Sequence, residues 1–198
     1  RSAYSGGVDF AHETEDRAWL FSGLVSGSYV SGDPGAILRT QRASTRYYQR
    51  PDADHLVEDS TATSLSGFYA MGYVGKQAGN FTLRPGVAAI SPGFEVNDLG
   101  FHTAADRVLL DTQFRYTQPD AGRVLRSWRI NLGGPDASWN FAGDRTLANV
   151  NGSITLQFLN YWSAVLTARH DPWTDDDRLT RGGPIARNPG GRSRTVRL

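Results

Sequence analysis

Hydrophobic and polar residues alternate with a period of two along most of the chain. The segment ADRVLLDTQFRYTQ at 105–118 places Val108, Leu110, Phe114 and Tyr116 on one side of an extended backbone and polar side chains on the other. The segments 124–132 and 146–158 repeat this pattern. Strict alternation predicts β-strands with one apolar and one polar face. No window shows the spacing of an amphipathic helix.

The same pattern predicts ten strands separated by turns. The strands cover residues 3–11, 18–31, 36–48, 63–75, 79–90, 106–118, 124–132, 137–143, 146–158 and 161–170. Turn sequences rich in Pro, Gly, Asp and Asn lie at 31–36, 49–54, 76–80, 118–122 and 133–137. Because the connections are mostly short and no helix is expected between strands, the predicted fold is all-β, an antiparallel up-and-down meander.

Strand length and aromatic placement indicate which kind of meander to expect. Several predicted strands reach 11 to 14 residues, whereas sandwich strands are usually about 5–6 residues and tilted membrane strands need about 9–11. Trp and Tyr near strand ends are typical of the aromatic girdles of membrane barrels. We therefore expect a single outer-membrane-type β-barrel domain over residues 1–198, or a fragment of a larger barrel, with 176–198 mostly loop or tail. A soluble β-sandwich is the alternative.

Composition excludes several classes of function. The 21 Lys+Arg and 20 Asp+Glu residues leave a net charge of +1, and no basic segment stands out, so nucleic-acid binding is not expected. The absence of cysteine excludes disulfides, thiolate metal sites and cysteine nucleophiles. No apolar run reaches the roughly 18 residues of a spanning helix. Because the chain starts within a strand pattern, we expect it to be a piece of a longer protein.

Two carboxylates, Glu95 and Asp98, lie within the segment SPGFEVNDLGF at 91–101. They could be the acid and base of a glycoside hydrolase, or oxygen ligands of calcium. We favour a rigid turn in which Asp98 caps backbone amides and Glu95 pairs with an arginine. The residues of this predicted turn are Pro92, Gly93, Asn97 and Gly100.

A second charged segment, DPWTDDDRLTRGGP, occupies 171–184. It lacks the D-x-D-x-D-G rhythm of a calcium loop. We expect a carboxylate–guanidinium network in which Arg178 or Arg181 reaches Asp177 or the acids at 95 and 98. Gly182, Gly183 and Pro184 would form its turn.

The remaining candidates for chemistry are histidines and aromatic pairs. The four histidines lie far apart in the sequence, so we expect no metal site, and without a nucleotide-binding motif we expect no cofactor. The pairs Tyr47–Tyr48 and Tyr161–Trp162 could stack on sugar rings. A packing or girdle role is the interpretation we favour for them.

Several motifs resemble an uncharacterised bacterial family. They are SPGFEVNDLGF followed by AD at 105–106, RYYQRPDADHL at 46–56, SLSGFYA at 64–70, GKQAGN at 75–80, WNFAGDR at 139–145, NYWS at 160–163 and DDRLTRGGP at 176–184. Members of that family carry a long β-rich region of unknown function, usually behind a family-9-type carbohydrate-binding module. This chain resembles part of the β-rich region.

The resemblance implies a barrel segment in the outer membrane of a Gram-negative bacterium. Its implied partners are outer-membrane lipid and glycans, and its implied task is the anchoring or passage of glycan-related material without catalysis. A secreted, soluble carbohydrate-binding sandwich stays open, as does a glycoside hydrolase that uses Glu95 and Asp98. The resemblance supplies no catalytic residues and no oligomeric state.

Overall fold

The structure, a computed structural model, describes residues 2–97 and 100–198. Within them lie one helix and eleven strands. The helix α1 spans Pro34–Arg42, and the strands are β1 Ser2–Glu13, β2 Trp19–Ser31, β3 Ser64–Lys76, β4 Phe81–Ile90, β5 Arg107–Gln118, β6 Leu125–Trp139, β7 Arg145–Phe158, β8 Ser163–Asp171, β9 Thr174–Asp176, β10 Ala186–Asn188 and β11 Gly191–Arg197.

Nine of these strands form a single sheet in the order β1-β2-β3-β4-β5-β6-β7-β8-β11. Every neighbouring pair in the sheet is antiparallel. The two remaining strands, β9 and β10, form a separate antiparallel ribbon. The predicted all-β antiparallel meander is therefore confirmed. Its two edge strands, β1 and β11, run in the same direction because eight antiparallel pairings separate them.

The prediction of a strand over 36–48 is wrong, because the first part of this segment is α1. Asp33 is the N-cap residue and its carboxylate accepts a 2.9 Å hydrogen bond from the amide of Ala36. Pro34, at the first helical position, has a backbone angle suited to a helix start. The helix buries Ile37 and Thr40 on one side. The sequence DPG reads as a turn, but here it begins a helix.

Two further differences concern Gly-rich segments. Residues 133–137 are not a turn but lie inside β6, which joins the predicted strands 124–132 and 137–143. The register of β6 against β5 shifts between the pairs Leu110–Ala137 and Gln113–Gly133, as at a β-bulge, so the strand absorbs the GGP sequence without reversing. The segment 176–198 also has more regular structure than expected, since it contains β10 and β11.

The two faces of the sheet differ in chemistry. The strand registers place apolar side chains from all nine strands on one face, which we call the apolar face. It includes Tyr4, Val8, Phe10, Phe21, Val25, Tyr29, Phe68, Val74, Val87, Val108, Leu132, Val150, Ile154, Leu166 and Val196, all of them exposed. The ring of Phe141, outside the sheet, lies edge-on to that of Phe68 with 6.5 Å between the ring centroids. Elsewhere the set is open to solvent: Val8 is 74% and Val87 60% exposed.

The opposite side of the sheet is the polar face. Its side chains include Asp9, Ser22, Ser26, Arg84, Asp111, Gln113, Arg115, Arg129, Asn131, Asn151, Ser153, Thr167 and Arg169. Antiparallel sheets commonly bury the apolar face and expose the polar one. Here the apolar face is uncovered, and the loops pack on the polar face.

Three of the four connections at one end of the sheet are much longer than the connections at the other end. Residues 14–18, 77–80, 119–124 and 159–162 connect strands at what we call the turn end. Residues 32–63, 91–106, 140–144 and 172–190 connect them at the loop end. We call the described parts of the four loop-end connections the loop cluster. An up-and-down meander alternates its connections between two ends, and three of the four at the loop end are long, the exception being 140–144.

The buried core lies where the loop cluster meets the polar face. Apart from Val30 and Ala164, the buried apolar side chains of the described residues belong to the loop cluster. They are Ala36, Ile37, Ala53, Leu56, Phe94 and Ala105. No helix in the described part of the chain is long and apolar enough to cross a membrane.

Candidate functional site

The segment that follows β4 lies directly on the polar face of β3. The amide of Ser91 donates to the carbonyl of Phe68 at 2.9 Å, and the Ser91 hydroxyl accepts from the Phe68 amide at 2.7 Å. A Cβ atom on Gly67 would collide with the backbone of Gly93 and Phe94, so this close approach requires glycine. The contact brings the SPGFEV segment, and with it the carboxylate of Glu95, into the core of the loop cluster.

Glu95 is buried in an ion pair. One of its carboxylate oxygens lies 2.8 Å from a guanidinium nitrogen of Arg46, and the other accepts a 2.7 Å hydrogen bond from the amide of Asn97. Arg46 is itself buried, and it also donates to the carbonyl of Phe94. The amide of Glu95 donates to the hydroxyl of Ser28 on β2 at 2.9 Å. Since both carboxylate oxygens are engaged, Glu95 holds the segment onto the sheet and does not present a free oxygen to a substrate.

A second carboxylate, Asp177, joins three distant parts of the chain. Its oxygens lie 2.7 Å from Arg107 at the start of β5 and 3.2 Å from Arg50 in the connection 32–63. All three residues are buried. Arg50 also has a carboxylate oxygen of Asp52 at 4.0 Å from its Nε atom. Removing Asp177 would therefore leave Arg107 without an ion-pair partner among the described residues and Arg50 with the longer contact alone. Asp177 therefore fixes the connection 172–190 against the connection 32–63.

Asp106 completes the network by contacting the short loop-end connection 140–144. Its carboxylate lies 2.8 Å from the Nε2 atom of His55, and its other oxygen accepts a 2.9 Å hydrogen bond from the amide of Phe141. The residue has φ of 60°, in the left-handed region that Asp tolerates better than most residues. All four loop-end connections are thus tied together by buried charges and hydrogen bonds, which we call the ion-pair network.

The structure brings together only some of the predicted site residues. Glu95 and Asp177 belong to the network, but their arginine partners are Arg46, Arg50 and Arg107 instead of the expected ones. Arg178 donates to the carbonyl of Thr45 at 3.3 Å, and burial, reinforced by the charge of Arg107, lowers its pKa. Arg181 is exposed, with no described carboxylate at ion-pair distance. Asp98 lies outside the described residues.

The predicted turn residues lie in two segments of the loop cluster, 91–101 and 176–184. Pro92 and Gly93 lie in the turn at the start of the SPGFEV segment, where the amide of Phe94 donates to the carbonyl of Ser91 at 3.1 Å. Asn97 accepts a 2.8 Å hydrogen bond from the amide of His102, and the amide of Gly100 donates to the carbonyl of Val96 at 2.7 Å. In the segment 176–184, the hydroxyl of Thr180 donates to the carbonyl of Pro184 at 2.8 Å across Gly182 and Gly183.

The aromatic pairs lie at opposite ends of the sheet. Tyr47 and Tyr48 belong to the loop cluster, where burial raises the pKa of Tyr48. Tyr161 and Trp162 lie in the turn at 159–162 and are about two-thirds exposed, at 66% and 67%. A guanidinium, that of Arg126, lies 4.6 Å from the centre of the Tyr161 ring. The four rings therefore do not form one platform for a sugar chain.

His102 is a titratable group at the edge of the network. Both of its ring nitrogens are buried without a hydrogen-bond partner. Burial lowers the pKa of His102 below its ordinary value, and the charge of Arg46 and then of Arg178 lowers it further against the opposing effect of Glu95. The folded protein therefore favours the neutral ring.

We expect the loop cluster to lose stability on acidification because of His102. The pKa of His102 is about 6.5 in the unfolded chain and lower in the folded protein. Between these two pKa values the unfolded segment binds a proton that the folded segment does not. The free energy of unfolding therefore falls as the pH drops from 7 through this range. Hydrogen exchange of the amides at 43–56 should quicken from pH 7 to pH 5 beyond the intrinsic rate change. His102→Gln should reduce this dependence, while His12→Gln, on β1, should not. An unchanged pH dependence in the first variant would contradict the assignment.

The sequence motifs gave no indication of which arginines complete the network. Arg46 and Arg50 are four residues apart within RYYQRPDADHL, and Arg107 follows Asp106 where β5 begins. Their burial between loops and sheet is the feature that distinguishes them, and it has no local signature. Among the described residues, no group of three or more His, Asp or Glu side chains is placed to hold a metal ion. What the arrangement can do chemically is clamp four loops onto one end of the polar face.

Comparison with known proteins identifies one related family. The family described as "Domain of unknown function (DUF5916)" matches residues 7–180, which is most of the chain. Neither the curated proteins nor the solved structures contain a match.

Proposed function

Since the chain belongs to the DUF5916 family, whose description names no activity, we propose from its geometry that the sheet is part of the wall of an outer-membrane β-barrel. The observation that carries this proposal is the uncovered apolar face, to which all nine strands contribute. In water a contiguous exposed patch of this extent would drive association. Against lipid it is the surface that a barrel wall requires, with the polar face directed to the lumen.

The lengths and ends of the strands support the same proposal. Of the nine sheet strands, β1 to β8 have between 9 and 15 residues, and a tilted membrane strand needs about 9–11. Aromatic side chains on the apolar face concentrate near the strand ends, as in interfacial girdles. At the turn end they are Trp19, Phe21, Phe81, Phe114, Tyr116 and Trp128, and at the loop end Tyr4, Tyr29, Phe68 and Trp139.

The connections support an orientation in the membrane. Outer-membrane barrels have short periplasmic turns and longer extracellular loops. We therefore place the turn end in the periplasm and the loop cluster at the cell surface. Because β1 and β11 run in the same direction, an antiparallel closure of this wall needs an odd number of further strands between them.

The proposed task is non-enzymatic: anchoring, or the passage of glycan-associated material, in a Gram-negative bacterium. The partial cover that the loop cluster gives the polar face would narrow such a lumen at the outer end. The association with glycans, including a carbohydrate-binding module ahead of the barrel, rests on the sequence motifs described above. The engaged carboxylate of Glu95 favours a structural role over glycoside hydrolysis.

Tryptophan quenching by lipid tests the membrane proposal. Trp128 lies on the apolar face near the turn end, whereas Trp162 lies in a turn at the same end. In vesicles whose acyl chains are brominated near the headgroup, a variant that keeps only Trp128 should be strongly quenched. A variant that keeps only Trp162, with the other tryptophans replaced by Phe, should be quenched much less.

Equal quenching of the two variants, or no quenching of Trp128, would contradict the proposal. A protein that stays monomeric and folded in buffer without detergent would instead favour the secreted carbohydrate-binding sandwich. In a sandwich the apolar face must be covered by a second layer of protein.

A further inference from the structure

A groove crosses the polar face between β3 and β7, on the turn-end side of the loop cluster. Its volume is about 780 Å³, within the range of about 300–1,000 Å³ that ligand sites usually have. The lining includes Tyr73, Arg84, Asp111, Arg115 and Asn131. None of these residues belongs to the ion-pair network.

Three arginines form a diagonal row along this face. In the strand registers Thr82 is opposite Arg115, and Asn131 is opposite Arg115 on the other side. Arg84 on β4 lies two residues from Thr82, and Arg129 on β6 lies two residues from Asn131. Both are therefore diagonal neighbours of Arg115. Diagonal neighbours in a sheet are about 7–8 Å apart. We call these three residues the arginine row.

Neutral groups position all three guanidiniums. Arg84 lies 4.1 Å from the centre of the Tyr73 ring. The Nε atom of Arg115 donates to the amide oxygen of Asn131 at 2.9 Å, and that of Arg129 donates to the hydroxyl of Thr117 at 3.3 Å. These contacts hold the side chains in place and leave their outer nitrogens available for a ligand.

The charges of the row are not compensated by nearby acids. Within the described residues, no carboxylate lies within 4.0 Å of a guanidinium of the row. Asp111 is opposite Gly86, which makes it a diagonal neighbour of Arg84 beyond ion-pair distance. One oxygen of Asp136 accepts from the amide of Thr112 at 3.0 Å. Like charges in a row repel one another, and an anion that spans the row would relieve this repulsion.

We propose that the groove binds a hydroxylated small molecule that carries a carboxylate or phosphate, such as a sugar acid or a sugar phosphate. Guanidinium groups bind both anions through paired hydrogen bonds. The acids and amides of the groove, Asp111 and Asn131 among them, suit the hydroxyl groups of such a ligand. Rows of arginine are also a means by which pores select anions.

This proposal rests on the proposed function in one respect, since it takes the polar face to be the wall of a lumen. The groove lies between the periplasmic turns and the loop cluster, so a bound solute would be on the path through the barrel. Binding itself requires only the folded sheet, so it can be measured on protein in detergent micelles. The two proposals can therefore fail separately.

Calorimetric titration at low ionic strength tests the site, with galacturonate, glucose phosphate, galactose and glucose as probes. At least one of the two anionic probes should bind, and the neutral sugars should bind at least tenfold more weakly. Arg115→Gln should weaken anion binding about tenfold or more, because a charged hydrogen bond is lost from the centre of the row. Arg123→Gln, in the exposed turn at 119–124, is the matched control and should bind like the unmodified protein.

Each outcome decides a separate point. Binding of galacturonate alone identifies a carboxylate ligand, and binding of glucose phosphate alone identifies a phosphate ligand. Equal affinity for neutral and anionic probes, no binding of either anion, or an unaltered Arg115→Gln variant would overturn the proposed site. Vesicle insertion without anion binding would refute this site only, and anion binding without insertion would refute only the membrane wall.

Discussion

Leu166→Arg should destabilise the protein in lipid vesicles by about 2–4 kcal/mol, the cost of an arginine on the lipid face of a barrel near the bilayer midplane. Leu166 lies near the middle of β8, opposite Ile154 and Val196, and is 42% exposed on the apolar face. Thr167 is the matched control, because it is adjacent in sequence, exposed, and opposite Ser153 and Thr195 on the polar face. Thr167→Arg should change stability by no more than about 0.5 kcal/mol.

The free energy of unfolding of both variants is measured by denaturant titration in vesicles. The proposal requires that the free energies of unfolding of the two variants differ by several kcal/mol, and that they do so when the protein is in lipid. If the apolar face met water, both substitutions would have small effects. If a second protein layer covered it, Leu166→Arg would be equally harmful without lipid. Either of those results would contradict the barrel wall.

Alternation of residue types was enough to predict the sheet. In an antiparallel meander with short turns, each strand must bring its apolar residues to the same side as its neighbour, so a period of two gives both strands and faces. Val25 faces the same side as Val8 and Ala70 for this reason. The alternation of apolar and polar residues could not determine whether the apolar side meets lipid or protein, because apolar side chains are favoured in both surroundings.

The helix α1 was not predicted from pattern because it is only nine residues long and few of its residues are apolar. Its buried residues are Ala36, Ile37, Thr40 and Gln41, and two of these four are polar. Gln41 is buried because its amide group exchanges hydrogen bonds with the backbone of Asp59, at 3.1 Å and 2.9 Å. Such a contact depends on the path of the following loop, which the local sequence does not reveal.

The sequence predicted that buried acids would pair with arginines, but it did not predict which arginines. The acids Glu95 and Asp177 stood out because they lie in Gly- and Pro-rich segments, and both do hold arginines. Their partners come from elsewhere: Asp177 and Arg107 are separated by 70 positions in the chain. Many arginines could serve a given carboxylate equally well by charge, so only the arrangement of the loops on the sheet selects the pair.

Asp177→Asn should release the loop cluster while leaving the sheet folded. Asp177 compensates both Arg107 and Arg50, which are buried with it. Removing one member of a buried ion pair costs about 3–5 kcal/mol, since the remaining charge is left without compensation. This applies to Arg107, whereas Arg50 keeps Asp52 at 4.0 Å. Amides of the loop cluster, at 46–56 and 174–188, should therefore exchange with solvent about a hundredfold faster or more, as that cost implies. Amides in the middle of β6 and β7 should exchange at unchanged rates.

Asp175→Asn provides the control for this change, because Asp175 lies two residues away in β9 and forms no ion pair with any described residue. Its exchange pattern should match that of the unmodified protein. A second variant, Arg107→Met, should release the same amides less severely, because it removes one of the two cations and leaves Asp177 paired with Arg50.

If Asp177→Asn left the hydrogen-exchange protection of the loop cluster intact, the ion-pair network would not be what holds the loop cluster on the sheet. If it unfolded β6 and β7 as well, the loops and the sheet would form one cooperative unit. The separation of the two responses is expected because the strands are held mainly by their own backbone pairing, whereas the loops are attached to them through a few buried charges.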